Sequence, residues 1–248
     1  EVVTNPSARY EAEGMSGIIN IILKKDQQQG VNGSFEVSAG HPHDYRAGAN
    51  VNFRRKKTNY FLNYGASYRE RPGDGSSFQH FMFPDTNYFT NVERNRLRTG
   101  WSHNLRGGAD YFINDRNTLT AAAFIGLSED KNNTNIWYTD LDQEGTIQEK
   151  TWREDNEQEL ERNIEFSLDY TLKFDQKDRK LNVFAQYIEE GETEESDIRE
   201  KITSFYGEAL EDDPILQRSL NKESQRDILL QADYIHPFGE KGRFETGY

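Results

Sequence analysis

Opposed glutamates are the strongest candidates for ion chemistry in this sequence. They lie on two alternating segments, 150–162 and 189–202, which a turn at 175–180 would bring side by side. The turn length predicts that Glu161 lies opposite Glu194, and directly opposed like charges destabilise a sheet. Further glutamates add to the local charge: Glu157, Glu159, Glu190, Glu192 and Glu195.

Two interpretations of this charge are open. The glutamates are fully hydrated, and salt screens their repulsion beyond about 8–10 Å. Alternatively, divalent cations bridge the carboxylates, because Ca²⁺ prefers several oxygen ligands held by flexible chains. On the second interpretation Glu161 and Glu194 are candidate Ca²⁺ ligands, and the sequence suggests no other cofactor.

Aromatic residues cluster in segment 70–94, which we predict to be a long exposed loop. Exposed aromatic clusters often mark binding surfaces, and sugars or flat chelates stack on rings. Alternatively, the loop folds back and buries its own rings. Trp137 and Trp152 flank the next predicted loop, either as anchors at its rim or as ligand contacts. The candidate ligand-binding residues are Phe78, Phe81, Phe83, Tyr88 and Trp137.

Catalytic chemistry has little support in the sequence. His41 and His43 have a spacing that suits a metal, but no third ligand is near, which favours solvated loop residues. There is no nucleophile with an adjacent base, no phosphate-binding glycine loop and no HExxH motif. Cysteine is absent, which excludes disulfides and thiolate metal sites. We therefore expect a protein that is not an enzyme.

The composition indicates strands with one apolar and one polar face. Only 34% of residues are hydrophobic and 29% are charged, yet Tyr and Phe number 13 and 15. A net charge of −13 argues against a nucleic-acid partner. No stretch approaches eighteen apolar residues, which argues against a membrane helix, but membrane β-strands need only about ten alternating residues. The predicted strands are 31–40, 45–53, 58–69, 95–113, 118–138, 150–174, 180–202, 217–237 and 243 to the end.

Connections between the predicted strands alternate in length. Short turns are predicted at 54–57, 114–117, 175–178 and 239–242, and longer loops mostly lie between them, near 70–94, 139–149 and 203–216. Short periplasmic turns and longer extracellular loops are typical of bacterial outer-membrane barrels.

The turns also predict the strand register. Phe174 should face Leu181, Tyr170 should face Ala185, and Ile113 should face Leu119, so that apolar residues meet across each pair. A soluble antiparallel sandwich, with a carbohydrate-binding role, is the alternative fold. The predicted strands are long for it, because soluble strands usually have about 5–6 residues.

The first twenty-five residues carry a specific resemblance. They read EVVTNPSARYEAEGMSGIINIILKK. This segment resembles the end of the plug domain of TonB-dependent outer-membrane receptors, most closely the Bacteroidetes-type branch, whose plugs end in variants of NPSARY-(E/D)-A-E-G-x-x-G-I-I-N-I-x-L-K-K. The resemblance implies a plug end at 1–25, a linker at 26–30 and the first part of a transmembrane barrel at 31–248. A complete barrel of this kind has about twenty-two strands around its plug.

The expected fold is therefore all-β: part of an antiparallel transmembrane β-barrel, about nine strands of a larger one, preceded by the end of a plug. The expected function is TonB-dependent uptake of a nutrient across the bacterial outer membrane. The alternative is a plugged barrel that does not transport and serves as a scaffold or subunit of an envelope assembly. The implied partners are outer-membrane lipid and lipopolysaccharide, TonB through a segment upstream of Glu1, and a surface lipoprotein. The acidic strand extensions, with Glu161 and Glu194, would be extracellular.

Overall fold

All regular structure in the described part of the chain is β-strand. The computed structural model describes residues 2–3, 18–19, 29–84, 86–204, 213–239 and 242–248. The strands are β1 (Val2–Val3), β2 (Ile18–Ile19), β3 (Gly30–Gly40), β4 (His43–Arg55), β5 (Thr58–Met82), β6 (Asn87–Phe112), β7 (Asn117–Leu141), β8 (Ile147–Lys173), β9 (Lys180–Ser204), β10 (Ile215–Phe238) and β11 (Gly242–Gly247). Among these residues there is no helix long and apolar enough to span a membrane.

Strands β3 to β11 form one antiparallel sheet in sequence order, so that each strand pairs with its neighbours along the chain. All nine predicted strands of this sheet are confirmed. Strands β3 and β11 lie at its two edges and do not pair with each other, as expected for part of a larger barrel. Strands β1 and β2 pair separately, with Val2 opposite Ile19. The rest of the predicted plug end and residues 26–28 of the predicted linker lie outside the described residues, whereas Gly30, the last linker residue, already belongs to β3. The domain boundaries stay a prediction.

The sheet has two chemically different faces. In β8 the face that we call the apolar face carries Ile164, Phe166, Leu168, Tyr170 and Leu172. The opposite side, the polar face, carries Asn163, Glu165, Ser167, Asp169 and Thr171. Phe166 and Leu168 are 54% and 47% exposed, whereas Ser167 and Asp169 are half-buried. Apolar side chains that are more exposed than polar ones need a hydrocarbon environment rather than water.

Aromatic side chains border the apolar face at both ends of its hydrophobic band. One row lies near the predicted short turns and contains Tyr60, Tyr111, Tyr170 and Tyr234. The other row, which we call the outer aromatic row, contains Tyr45, Tyr68, Trp101 and Tyr187. The rings of Tyr68 and Trp101 lie 4.6 Å apart. Trp101 and Tyr111 are ten positions apart on β6, about 33 Å along a strand. A strand tilted by about 45° then rises about 23 Å, close to the apolar band of a membrane barrel.

No second layer of structure covers either face among the described residues. Val92 and Ile235 are the hydrophobic residues buried there. A soluble sandwich would bury the apolar faces of two sheets against each other. The sandwich interpretation is therefore wrong.

The predicted long loop at 70–94 is also wrong. Strand β5 continues to Met82 and β6 begins at Asn87, so that residues 83–86 connect them. Beyond Glu70, β5 no longer pairs with β4 and becomes an edge, where a proline such as Pro72 is tolerated. The loop predicted at 139–149 shortens to 142–146, and most of 203–216 lies outside the described residues.

The two ends of the sheet therefore differ in how far the strands extend, and not in the length of the loops. Strands β5 to β10 have 24 to 27 residues, although about ten suffice to cross a bilayer. The excess lies beyond the aromatic row that contains Trp101.

The predicted registers are wrong by two residues. Leu181 faces Leu172 instead of Phe174, and Leu119 faces Tyr111 instead of Ile113. The turns are larger than predicted: Phe174 lies outside β8, and its N–H donates to the carbonyl of Arg179 at 3.1 Å. A shift of two residues preserves the faces, because side chains alternate with a period of two.

Candidate functional site

The predicted aromatic ligand residues are divided between the two faces. Phe81 and Tyr88 stack on the polar face at the end of the β5–β6 hairpin, with ring centroids 4.6 Å apart, and Phe83 lies 6.1 Å from Tyr88. Phe78 lies on the opposite face and stacks on Phe89 at 5.5 Å. Phe78 therefore cannot join the other three residues in one contact surface.

Trp137 forms a third location. It lies on the same side of the sheet as the apolar face and directly opposite Trp152 across β7 and β8. The Nε1–H of Trp152 donates to Asn135 Oδ1 at 3.2 Å. The two tryptophans line a groove of about 550 Å³ together with Lys150 and Lys201. The five predicted ligand residues thus lie in three groups, one on the polar face and two on the apolar side of the sheet, and their ligand-binding role stays a prediction.

The predicted pairing of Glu161 with Glu194 is wrong, for the same reason as the other registers. Glu161 faces Glu192 and Glu159 faces Glu194. Carboxylate oxygens of Glu159, Glu161 and Glu192 lie within 4.8 Å of one another on the polar face. The Ser128 hydroxyl donates to Glu161 at 2.8 Å. Glu161 therefore belongs to the acidic cluster, but Glu194 is not among the three residues that come together.

The surroundings of Glu159 raise the pKa of its carboxyl group. Glu159 lies past Trp101, beyond the outer aromatic row. Partial burial raises its pKa to about 7, with further contributions from a hydrogen bond to Glu161 and from the charges of Glu161, Glu192 and Asp130. Three carboxylates at this spacing suit a hard divalent cation, and that Ca²⁺ site stays a prediction. The cluster lies on the polar face, so it is turned away from the lipid around a barrel.

The polar face also carries a group of arginines that was not predicted from the sequence. Strands β5 and β6 present six of them on this face: Arg69, Arg71, Arg94, Arg96, Arg98 and Arg106. Alternate arginines at 94, 96 and 98 are a visible period-two signal. Assembling them with Arg69 and Arg71 requires the register between the two strands.

The polar face is thus divided by charge. Strand β7 separates the arginines of β5 and β6 from the glutamates of β8 and β9 and carries Ser128, Asp130 and Asn132 between them. We call these arginines the basic column and these glutamates the acidic column. Their nearest strands, β6 and β8, are about 10 Å apart, since neighbouring strands lie about 4.8 Å apart. Among the described residues, the arginines of β5 and β6 and the glutamates of β8 and β9 therefore face the same space without forming ion pairs with each other.

Comparison with known proteins agrees with this geometry. Residues 172–248 match the family model described as the outer membrane protein beta-barrel family. They cover the end of β8 and all of β9, β10 and β11. No curated protein matches the chain. Together with the exposed apolar band and its two aromatic rows, this match assigns the nine antiparallel strands to an outer-membrane β-barrel, and the protein to the bacterial outer membrane.

Proposed function

We propose that the chain is part of a TonB-dependent receptor that takes up a nutrient through a plugged barrel. The resemblance of residues 1–25 to the end of a TonB-dependent plug carries this proposal. The segment directly precedes β3, the first strand of the barrel sheet. Ligand capture by the extracellular hairpins would be followed by displacement of the plug through force applied from the periplasm.

The geometry of the sheet supports a large barrel. Nine strands leave both edges of the described sheet open, whereas outer-membrane barrels have no free edges. Closure therefore needs strands besides these nine, and barrels of about 22 strands enclose a lumen wide enough for a plug. The charged polar face is a suitable wall for a hydrated lumen.

The β5–β6 hairpin supports a capture role. It extends well beyond the aromatic row at Tyr68 and Trp101, and Phe81, Phe83 and Tyr88 lie near its end on the lumen side. Rings there are accessible to a ligand approaching the mouth of the barrel. Phe78 and Trp137 lie on the outer side of the wall and contribute less to this capture.

Binding to TonB is the decisive experiment. The intact protein in detergent micelles should bind the purified periplasmic domain of TonB from the same cells, measured by surface plasmon resonance, while a general porin should not. Cells that lack the gene and cells that lack TonB should lose growth on the same limiting nutrient. An envelope defect without TonB binding would instead support the scaffold function.

A further inference from the structure

Three arginines surround a small pocket on the polar face, just beyond the outer aromatic row. Arg69 and Arg71 come from β5 and Arg98 comes from β6, around a volume of about 170 Å³. Arg71 and Arg98 lie directly opposite each other in the strand register. Opposed like charges cost stability in a sheet, so this arrangement favours an anion between them.

Serine hydroxyl groups also line this pocket. Ser67, Ser102 and Ser128 lie in one row across β5, β6 and β7, and the oxygens of Ser67 and Ser102 are 2.8 Å apart. Hydroxyls can donate to an anion as well as accept from a neighbour.

Asp130 is the acidic residue that lines the pocket. Its carboxylate occupies the space above Gly100, where any Cβ would overlap it. Beside it, the Asp44 carboxylate lies 4.0 Å from Arg69 but also pairs with Arg46. Three guanidinium groups against these carboxylates leave the pocket with a positive charge.

The arginines of this pocket are poorly satisfied within the described residues. The Nε atoms of Arg69 and Arg98 are enclosed and have no hydrogen-bond partner there. Arg69 approaches Asp44 at 4.0 Å, too far for a hydrogen bond. An enclosed donor without a partner is costly, so two such donors beside one pocket favour the binding of an anion that accepts hydrogen bonds from the arginines.

We propose that this pocket binds one oxyanion group of the transported ligand, such as a phosphate, sulfate or carboxylate. Guanidinium groups bind such oxyanions through paired, charge-assisted hydrogen bonds. The pocket is smaller than the about 300–1,000 Å³ of a whole ligand site, so it would hold the charged group while the rest of the ligand contacts other parts of the lumen. This inference rests on the proposed function, because it assumes that the ligand is transported through the barrel. It names the substrate class as nutrients that carry an oxyanion.

Calorimetry with inorganic phosphate and with citrate tests this site on the intact protein in detergent micelles. We expect at least one of the two to bind at low salt, and binding to weaken in 0.15 M salt as charges are screened. Arg71→Gln and Arg98→Gln should each weaken binding by about tenfold or more, since each removes a charge-assisted contact. Asp130→Asn should strengthen binding, because it removes the opposing negative charge.

Arg106→Gln is the matched control. Arg106 lies on the same face of β6, eight positions from Arg98 and therefore about 27 Å away, and the variant should bind the anion like the parent protein. Equal weakening by Arg106→Gln would overturn the site, because it would reflect net charge alone.

Three further outcomes separate the site from its alternatives. Binding of neither anion to the parent protein would overturn the proposal. Glu11 and Glu13 are acidic residues of the segment 1–25 that resembles a plug end. Anion binding that arises only after Glu11→Gln and Glu13→Gln would overturn the proposal as well, because it would mean that carboxylates of the chain itself compete for the pocket. Anion binding without TonB binding would support the site and overturn the transport function, so the two failures are distinguishable.

Discussion

At the scale of single residues, the polar face brings carboxylates close together. Glu159 is half-buried and has two other carboxylates within 4.8 Å, which makes its protonated form favourable. Its pKa of about 7 in the folded protein lies above the ordinary value of 4.5. The folded state therefore binds more protons than the unfolded state between these two values, and stability falls as pH rises through 7.

Glu159→Gln should remove this pH dependence. At about pH 3 the parent protein and the variant should be equally stable, because Glu159 is then protonated in both the folded and the unfolded state. At pH 8 the variant should be more stable by up to about 1 kcal/mol, a small value because solvent screens exposed charges. Urea unfolding in micelles at the two pH values, followed by tryptophan fluorescence, measures the difference.

Added Ca²⁺ is the second arm of the same measurement and tests the cation site. At pH 8, Ca²⁺ should stabilise the parent protein and a chelator should reverse the effect, while Glu159→Gln with Glu161→Gln abolishes both responses. Glu194→Gln is the matched control and should retain them. Unfolding curves indifferent to Ca²⁺ and chelator would support the hydrated interpretation of these charges.

At the scale of elements, alternation predicted the strands but not where they stop or how they pair. The period-two pattern of 164–174 was enough to identify β8 and its two faces. Pro72, Gly73 and Gly75 are local turn signals, and they concealed the extension of β5 because pairing with β6 is a long-range interaction. The residue predicted to face Glu161 was wrong by two positions, because the length of the turn depends on backbone geometry that the sequence does not specify. The arginine pocket needs the registers of β5, β6 and β7 together, which puts it beyond sequence reasoning.

Disulfide trapping tests the register of β8 and β9. Cysteines at Tyr170 and Val183 should cross-link under mild oxidation, because these positions are directly opposed and opposed residues lie about 4.5–5.5 Å apart, within disulfide range. Cysteines at Tyr170 and Ala185 form the matched control and should cross-link poorly, since diagonal neighbours are about 7–8 Å apart. The opposite preference would restore the register predicted from the sequence. The bond is detected by gel mobility with and without reductant.

At the scale of the whole molecule, the sheet exposes its apolar side chains on one face and carries charged side chains on the other. Its apolar face is bordered by two aromatic rows about 23 Å apart and exposes large side chains such as Phe35 at 74% and Ile228 at 75%. The polar face carries the separate basic and acidic columns. The long extensions rise beyond the outer row and place the arginine pocket and the acidic cluster near the mouth of the lumen. Both proposals depend on this assignment of lipid to one face and water to the other.

Cysteine scanning along β8 tests that assignment most directly. The chain has no native cysteine, so single cysteines at the six positions 165–170 can be labelled in the intact protein reconstituted into lipid vesicles. A water-soluble maleimide should modify positions 165, 167 and 169, whereas spin labels at 166, 168 and 170 should be relaxed by oxygen dissolved in the lipid. Accessibility that does not alternate, or that alternates with the opposite phase, would contradict a lipid-facing apolar face and a water-filled lumen.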